Sequence, residues 1–243
     1  MMQSQIYQDG KIMNEMSSMM NVSRIESAKA RSRIYALLAM GFRYPDADCF
    51  AQLTDGSYAE ALAGALDICA ADLATDFRSS LAPVLQATGS REELESTYLS
   101  AFETNMPEPS LSLYEGSHHL QGNKPGLLLE LKGFYRTFGL SMADSENDLE
   151  DALTAELEFM QFLTAKQAQA EEGALDKSPY LRAQRDFLQR HLAIWLPALQ
   201  AEAEGKLKYP FYRALTVLAN NFVASDVKAV ERDAASLAGQ RSN

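Results

Sequence analysis

Three histidines, His118, His119 and His191, are all that the chain offers for imidazole chemistry. A di-iron type carboxylate centre in a helical bundle needs two Glu-x-x-His units on two helices and two further Glu. Glu115-Gly-Ser-His118 supplies that unit once, and His191 has Leu188 where the second Glu would stand. His118 and His119 are neighbours, so on a helix they would point about 100° apart and share an ion poorly. Their ordinary role is as polar residues of a loop or surface, and that of His191, on an apolar stripe, is a core histidine with one hydrogen-bond partner. No GxSxG elbow exposes a strained serine, and no GxxxxGK[ST] or GxGxxG loop cradles a phosphate. A Ser/His/Asp triad remains open on composition alone. The expectation is a non-enzyme with no catalytic residue, metal or cofactor of its own. The alternative is a helical enzyme that holds a metal or small ligand with Glu115 and His118.

Other residues suit binding better than catalysis. Asp144, Glu146, Asp148, Glu150 and Asp151 precede a helical stretch that carries Glu156 and Glu158. Carboxylates there complement a helix macrodipole and solvate a surface. They would equally dock a cationic peptide, pairing with guanidinium groups two bonds at a time. Leu94, Tyr98, Ala101 and Phe102 share one helix face that runs straight into a segment rich in Pro and Gly. That face is either core or the wall of a groove beside the segment.

The elements that must position these residues are helices. The chain has 243 residues, with 35 Ala and 32 Leu against 6 Val and 6 Ile. A sheet-dominated fold would use many more β-branched residues, whereas Ala and Leu lead the helix propensity scale. Apolar residues are 47% and charged residues 23%, a balance that excludes wholesale disorder. Ile34, Leu37, Leu38 and Gly41 recur at helical spacing over 24–43, and Pro45 ends that helix. Two or three Ala-rich helical segments follow between about 57 and 104, with Ser90 and Glu93 spaced as a capping box.

Periodicity is lost from 105 to 125, where Pro107, Pro109, Gly116, Gly122 and Pro125 fall within 21 residues. Loops this long inside a domain tend to be functional. Helical spacing resumes over Leu127–Phe138, over Leu153–Met160, over Phe187–Leu199 with Pro197 predicting a kink or early stop, and over Phe211–Phe222. The sequence thus describes an all-α bundle of about nine helices over 24–243, with a long central loop or hinge at about 105–125.

Net charge is −11, which repels phosphate backbones and disfavours nucleic-acid binding. No run of eighteen apolar residues marks a membrane span. Cys49 and Cys69 form no CxxC and read as inert thiols of a reducing compartment, hence a cytoplasmic location. Residues 1–23 lack the apolar core and cleavage site of a secretory signal and read as a loose, flexible tail or short arm.

Several runs together resemble the TorD/DmsD/NarJ family of cytoplasmic molybdoenzyme-maturation chaperones, over about Arg33 to Asp226. They are the Arg33–Pro45 opening helix, Tyr98-Leu-Ser-Ala-Phe102, Pro107-Glu-Pro109 followed by Leu113-Tyr114-Glu115-Gly116, Glu156-Leu-Glu-Phe-Met160, and the Arg185–Trp195 helix. The Tyr-Glu-Gly ending is most similar to the branch serving type II enzymes of the dimethyl sulfoxide reductase family. Where the family often carries Pro-Asp-His, this chain reads Glu150, Asp151 and Ala152, so no histidine role carries over.

The resemblance implies an all-helical protein, a monomer or a domain-swapped dimer hinged at the central loop. It further implies that the protein binds the apo catalytic subunit of a type II molybdopterin oxidoreductase, through its twin-arginine leader or another part, until molybdenum cofactor is inserted. The client-contact residues expected on this reading are Tyr98, Phe102, Tyr114, Glu115 and Asp151, with Glu156 as a supporting charge. The acidic region would meet the basic end of a leader and the aromatic face its apolar run.

Overall fold

Twelve α-helices are found among the described residues of the computed structural model, which are 2–86, 89–103, 110–118, 123–141 and 149–240. The side chains of 2–18, 20, 21 and 237–240 lie outside that description. No strand occurs among the described residues, and the expected all-α class holds.

Helix α1 (Met2–Phe42) takes in residues 2–23 as well as the expected opening helix, and stops three residues before Pro45. Asp46 caps α2 (Ala47–Thr54) by accepting the Cys49 N–H at 2.8 Å. The Ala-rich stretch becomes α3 (Ser57–Cys69), α4 (Ala71–Asp76), a π-helical turn (Phe77–Leu81) and α5 (Ala82–Gln86). The capping box is formed as expected and starts α6 (Arg91–Tyr98): the Ser90 hydroxyl accepts the Glu93 N–H, and the Glu93 carboxylate accepts the Ser90 N–H. A second π-helical turn (Leu99–Glu103) follows without a break. After α7 (Glu115–His118) and α8 (Lys124–Thr137) come α9 (Leu153–Glu172), α10 (Ser178–Arg190), α11 (Leu192–Lys206) and α12 (Pro210–Gln240).

One expectation is displaced. The 187–199 stripe breaks at His191, whose backbone leaves the helical region, and not at Pro197, which sits inside α11. Proline costs the helix one N–H donor and crowds the carbonyl four residues back. Here the chain has already turned six residues earlier, with the Ile194 N–H closing on the His191 carbonyl at 2.7 Å.

Helix α1 runs along α9 and also packs against α3 and α12, while α10 and α11 pack on α12. Ile34, Leu38, Leu157, Met160, Phe187, Trp195, Leu215 and Phe222 are all buried where these helices meet. At Gly41 the approach is close enough to require glycine, since a Cβ would stand 2.5 Å from the Tyr58 hydroxyl and 2.9 Å from Leu215 Cδ2.

Inside this apolar core lies a charged knot. Arg31 of α1, 2% exposed, pairs through both Nε and a terminal nitrogen with Asp226 of α12, itself 2% exposed. The same guanidinium donates to Gln184 of α10 at 2.6 Å and to Gln167 of α9 at 3.2 Å. Tyr35 adds a 2.7 Å bond to Asp226. Burial by itself would lower the pKa of Arg31, but Asp226 overrides it and holds the guanidinium above its ordinary value. Four helices are thereby tied at one point. Asp226→Ala is expected to cost about 3–5 kcal/mol in urea unfolding, the scale of leaving a buried charge alone. Arg31→Met combined with Asp226→Leu is expected to recover most of it; a double variant no more stable than the single one would contradict this account.

Candidate functional site

Residues 110–118 form a strap that lies against the start of α9. The Leu111 N–H reaches the Ala101 carbonyl at 2.9 Å, the Glu115 N–H the Asp151 carbonyl at 2.9 Å, and the Leu153 N–H the Leu113 carbonyl at 2.8 Å, with Tyr114 and Ala152 paired as an isolated antiparallel bridge. The Gly116 N–H donates to Asp151 Oδ2 at 3.1 Å, and a Cβ on Gly116 would stand 2.8 Å from that same oxygen. Glycine is needed here for close approach rather than for backbone freedom. Pro107, Pro109, His119, Gly122 and the acidic residues Asp144, Glu146 and Asp148 lie outside the described residues.

The strap carries Glu115 into the core. There it is fully buried with Glu156 of α9, to which it is hydrogen-bonded. Glu115 Oε2 also lies 3.0 Å from His191 Nδ1, and Glu156 Oε2 accepts the Trp195 indole N–H at 3.1 Å. His191 is thus the core histidine the sequence suggests. His118 departs from expectation: its side chain is buried, stacked on Trp195 with ring centroids 5.3 Å apart, and Nε2 lies 2.8 Å from the Ser112 carbonyl oxygen. Its place at the end of α7, the helical turn of the strap, stacks it on Trp195 and takes it from the surface, which residue type alone does not reveal. Glu115 and His118 thus serve different partners, and among the described residues no group of three His, Cys, Asp or Glu could hold a metal ion. Burial, followed by the neighbouring Glu115 charge, pushes the Glu156 carboxyl well above its ordinary range, so it holds its proton far better than a free glutamate.

On the outer side of strap and α9 lies a groove of about 570 Å³, within the range of ligand-sized clefts. Tyr98, Phe102 and Tyr114 line it, facing Phe159 and Phe162 of α9. The first two meet edge to face at 5.1 Å, and Tyr44, 45% exposed, sits 5.5 Å from Tyr98 at the mouth. The π-helical turn brings Phe102 and Glu103 to this wall, and such turns recur at functional sites.

The six expected contact residues are therefore sorted into two layers. Tyr98, Phe102 and Tyr114 line the groove, whereas Glu115, Asp151 and Glu156 are each fully buried beneath it. Arg43, Tyr44, Glu158 and Phe159 also line the groove and were not singled out by residue type. Glu158 was visible as part of the acidic region. Arg43 and Tyr44 read only as the end of a helix. Burial pushes the Cys49 thiol up to about 11 and Cys69 up to about 12, in keeping with inert thiols.

The architecture is an all-α bundle with an aromatic-lined groove on one side. Residues 70–201 match the family described as nitrate reductase delta subunit, and the chain belongs to that family. It is 53% identical over 211 residues to the perchlorate reductase assembly chaperone protein of Dechloromonas aromatica (strain RCB), covering 87% of this chain and 94% of the relative. It is 32% identical to the chlorate reductase assembly chaperone protein of Ideonella dechloratans and to the selenate reductase assembly chaperone protein of Thauera selenatis, each over 74% of this chain and 80% of the relative. These relatives are assembly chaperones and not catalysts, which carries the expected non-enzymatic class and leaves the metal-enzyme alternative without support. Among the described residues no helix is long and apolar enough to cross a membrane.

The buried acid pair yields a pH prediction. An acid whose folded pKa is raised stabilises the fold fully below its ordinary value of 4.5, and this is lost as pH climbs toward the raised value. Glu156→Gln keeps an acceptor for Trp195 and has no proton to lose. Its stability relative to the native chain should therefore rise with pH above 4.5, by up to about 1.4 kcal/mol per unit. Urea midpoints of both proteins across pH 4.5–8 check this, and parallel profiles would rule out Glu156 as the responsible group.

Proposed function

We propose that this chain binds the cofactor-free catalytic subunit of a molybdopterin oxidoreductase of the perchlorate reductase kind, and that it holds that subunit in the cytoplasm until molybdenum cofactor is inserted. The observation that carries the reading is the groove. Tyr44, 45% exposed, and the half-buried Tyr114 present accessible aromatic surface there, while Tyr98 and Phe102, each 8% exposed, form the buried back of the same wall. The kinship with a perchlorate reductase assembly chaperone protein over 94% of its length supports the choice of client. Net charge of −11 favours a client segment with a basic end beside an apolar run, the chemistry of a twin-arginine leader.

In this reading Glu115, Asp151 and Glu156 act from beneath. They fix the strap on which Tyr114 rides, so their role is positioning and not contact. Release follows when the folded, cofactor-loaded subunit no longer offers the segment. Monomer and domain-swapped dimer are both compatible with a groove whose described walls come from one chain, and size-exclusion chromatography with light scattering separates them.

Capture from cytoplasm with this chain as bait, followed by mass spectrometry and a molybdenum assay, tests the proposal. The expected catch is a molybdopterin oxidoreductase catalytic subunit without molybdenum. Tyr114→Ala together with Phe162→Ala is expected to reduce the catch at least about tenfold, the loss of one interface anchor, with the helical signal unchanged. A catch loaded with molybdenum, or one indifferent to both substitutions, would overturn it.

A further inference from the structure

Three charged side chains stand among those lining the groove: Arg43 just beyond the end of α1, Glu103 at the end of the second π-helical turn, and Glu158 on α9. Arg43 and Glu158 are ion-paired while 58% and 40% exposed. A pair this open to water is weak and exchanges readily. Among the described lining residues, two carboxylates against one guanidinium give a net negative charge, in a chain already at −11. Directly beside Glu158 in sequence, Phe159 belongs to the aromatic floor, and Phe162 follows one turn on.

We propose that Glu158 is the cation subsite of the groove, occupied by Arg43 until a client arrives. A lysine or arginine of the client displaces Arg43 as an adjacent apolar side chain enters the floor formed with Phe159. This rests on the reading that the groove takes a client segment, and it adds the residue that selects for charge. The displaced guanidinium has room to turn outward, since more than half of it already faces solvent. An acidic client residue would instead have to meet Arg43 in a groove also lined by Glu103 and Glu158, against the net sign of its described charges. Arg43 thereby acts as an internal competitor: it keeps the subsite from holding stray cations and sets a threshold that only a cation joined to an apolar neighbour passes.

The probe is the tightest-binding member of a set of short overlapping peptides spanning the captured catalytic subunit, labelled with fluorescein, beside a copy in which every Lys and Arg is Gln. Anisotropy titrations with the native chain, Arg43→Gln, Glu158→Gln and Tyr114→Ala give the result. Arg43→Gln is expected to tighten the cationic peptide about two- to fivefold, the scale of one partly exposed ion pair, and Glu158→Gln to weaken it by at least as much. Neither should change binding of the Gln copy. All three substituted side chains are partly or largely exposed, and thermal melts followed by circular dichroism confirm folding. If Arg43→Gln weakens the cationic peptide, or both charge variants shift the two peptides equally or not at all, the cation subsite is refuted. With Tyr114→Ala still weakening both peptides, that refutation leaves the groove reading standing. With Tyr114→Ala also silent, the groove reading falls too.

Discussion

A guanidinium withdrawn from water must be neutralised where it stands, and in this protein that requirement fixes the bundle. Arg31 on α1 meets Asp226 on α12, with Gln167 of α9 and Gln184 of α10 each accepting a further N–H. Gln184 in turn donates to Gln167 and to the Leu163 carbonyl, so the acceptors are themselves held. Apolar packing alone tolerates sliding of one helix along another, because hydrophobic burial is not directional. A buried network of this kind tolerates much less, since each group left unmatched carries its full desolvation cost. Against a total stability of about 5–15 kcal/mol for a typical domain, the register of α1, α9, α10 and α12 is tightly specified.

Helix α9 conveys that register to the groove. Glu156, Met160, Leu163 and Gln167 follow one another at helical spacing on its buried side, the last within the Arg31 network and the first within the Glu115–Trp195 cluster. Ala155, Glu158, Phe159 and Phe162 form the adjoining stripe and line the groove. One helix therefore belongs to both layers. The strap has the same division in consecutive residues: Leu113 and Tyr114 line the groove, and Glu115 enters the core. Displacing either would move the aromatic wall and the buried carboxylates together.

The perchlorate, chlorate and selenate reductase assembly chaperone proteins are similar to this chain over 74–87% of its length. Rim charges adjust partner choice more cheaply than core residues do, because they can change without creating a cavity or an unpaired buried group.

Most of the fold follows from the amino-acid sequence by local rules. An excess of Ala and Leu at 3.6-residue spacing, Pro45 after α1, the Ser90–Glu93 box and Pro210 at the start of α12 act over a few residues, so no knowledge of distant neighbours is required. Tyr98 and Phe102 could be read only as core or groove wall, because their helix face runs into a Pro/Gly segment, and the structure makes them both: 8% exposed, yet lining the groove. The depth of Glu115, Asp151 and Glu156 was beyond reach of such reasoning. A carboxylate looks solvated until a Trp195 indole, a His191 ring or a Gly116 N–H from elsewhere in the chain comes to meet it. Arg43 illustrates the opposite case, ordinary as the last turn of a helix and notable only once α9 brings Glu158 to it across 115 residues of sequence. Periodicity and capping are local, and the sequence states them directly. Charge pairing and burial join residues far apart in the chain, and tertiary structure alone decides them.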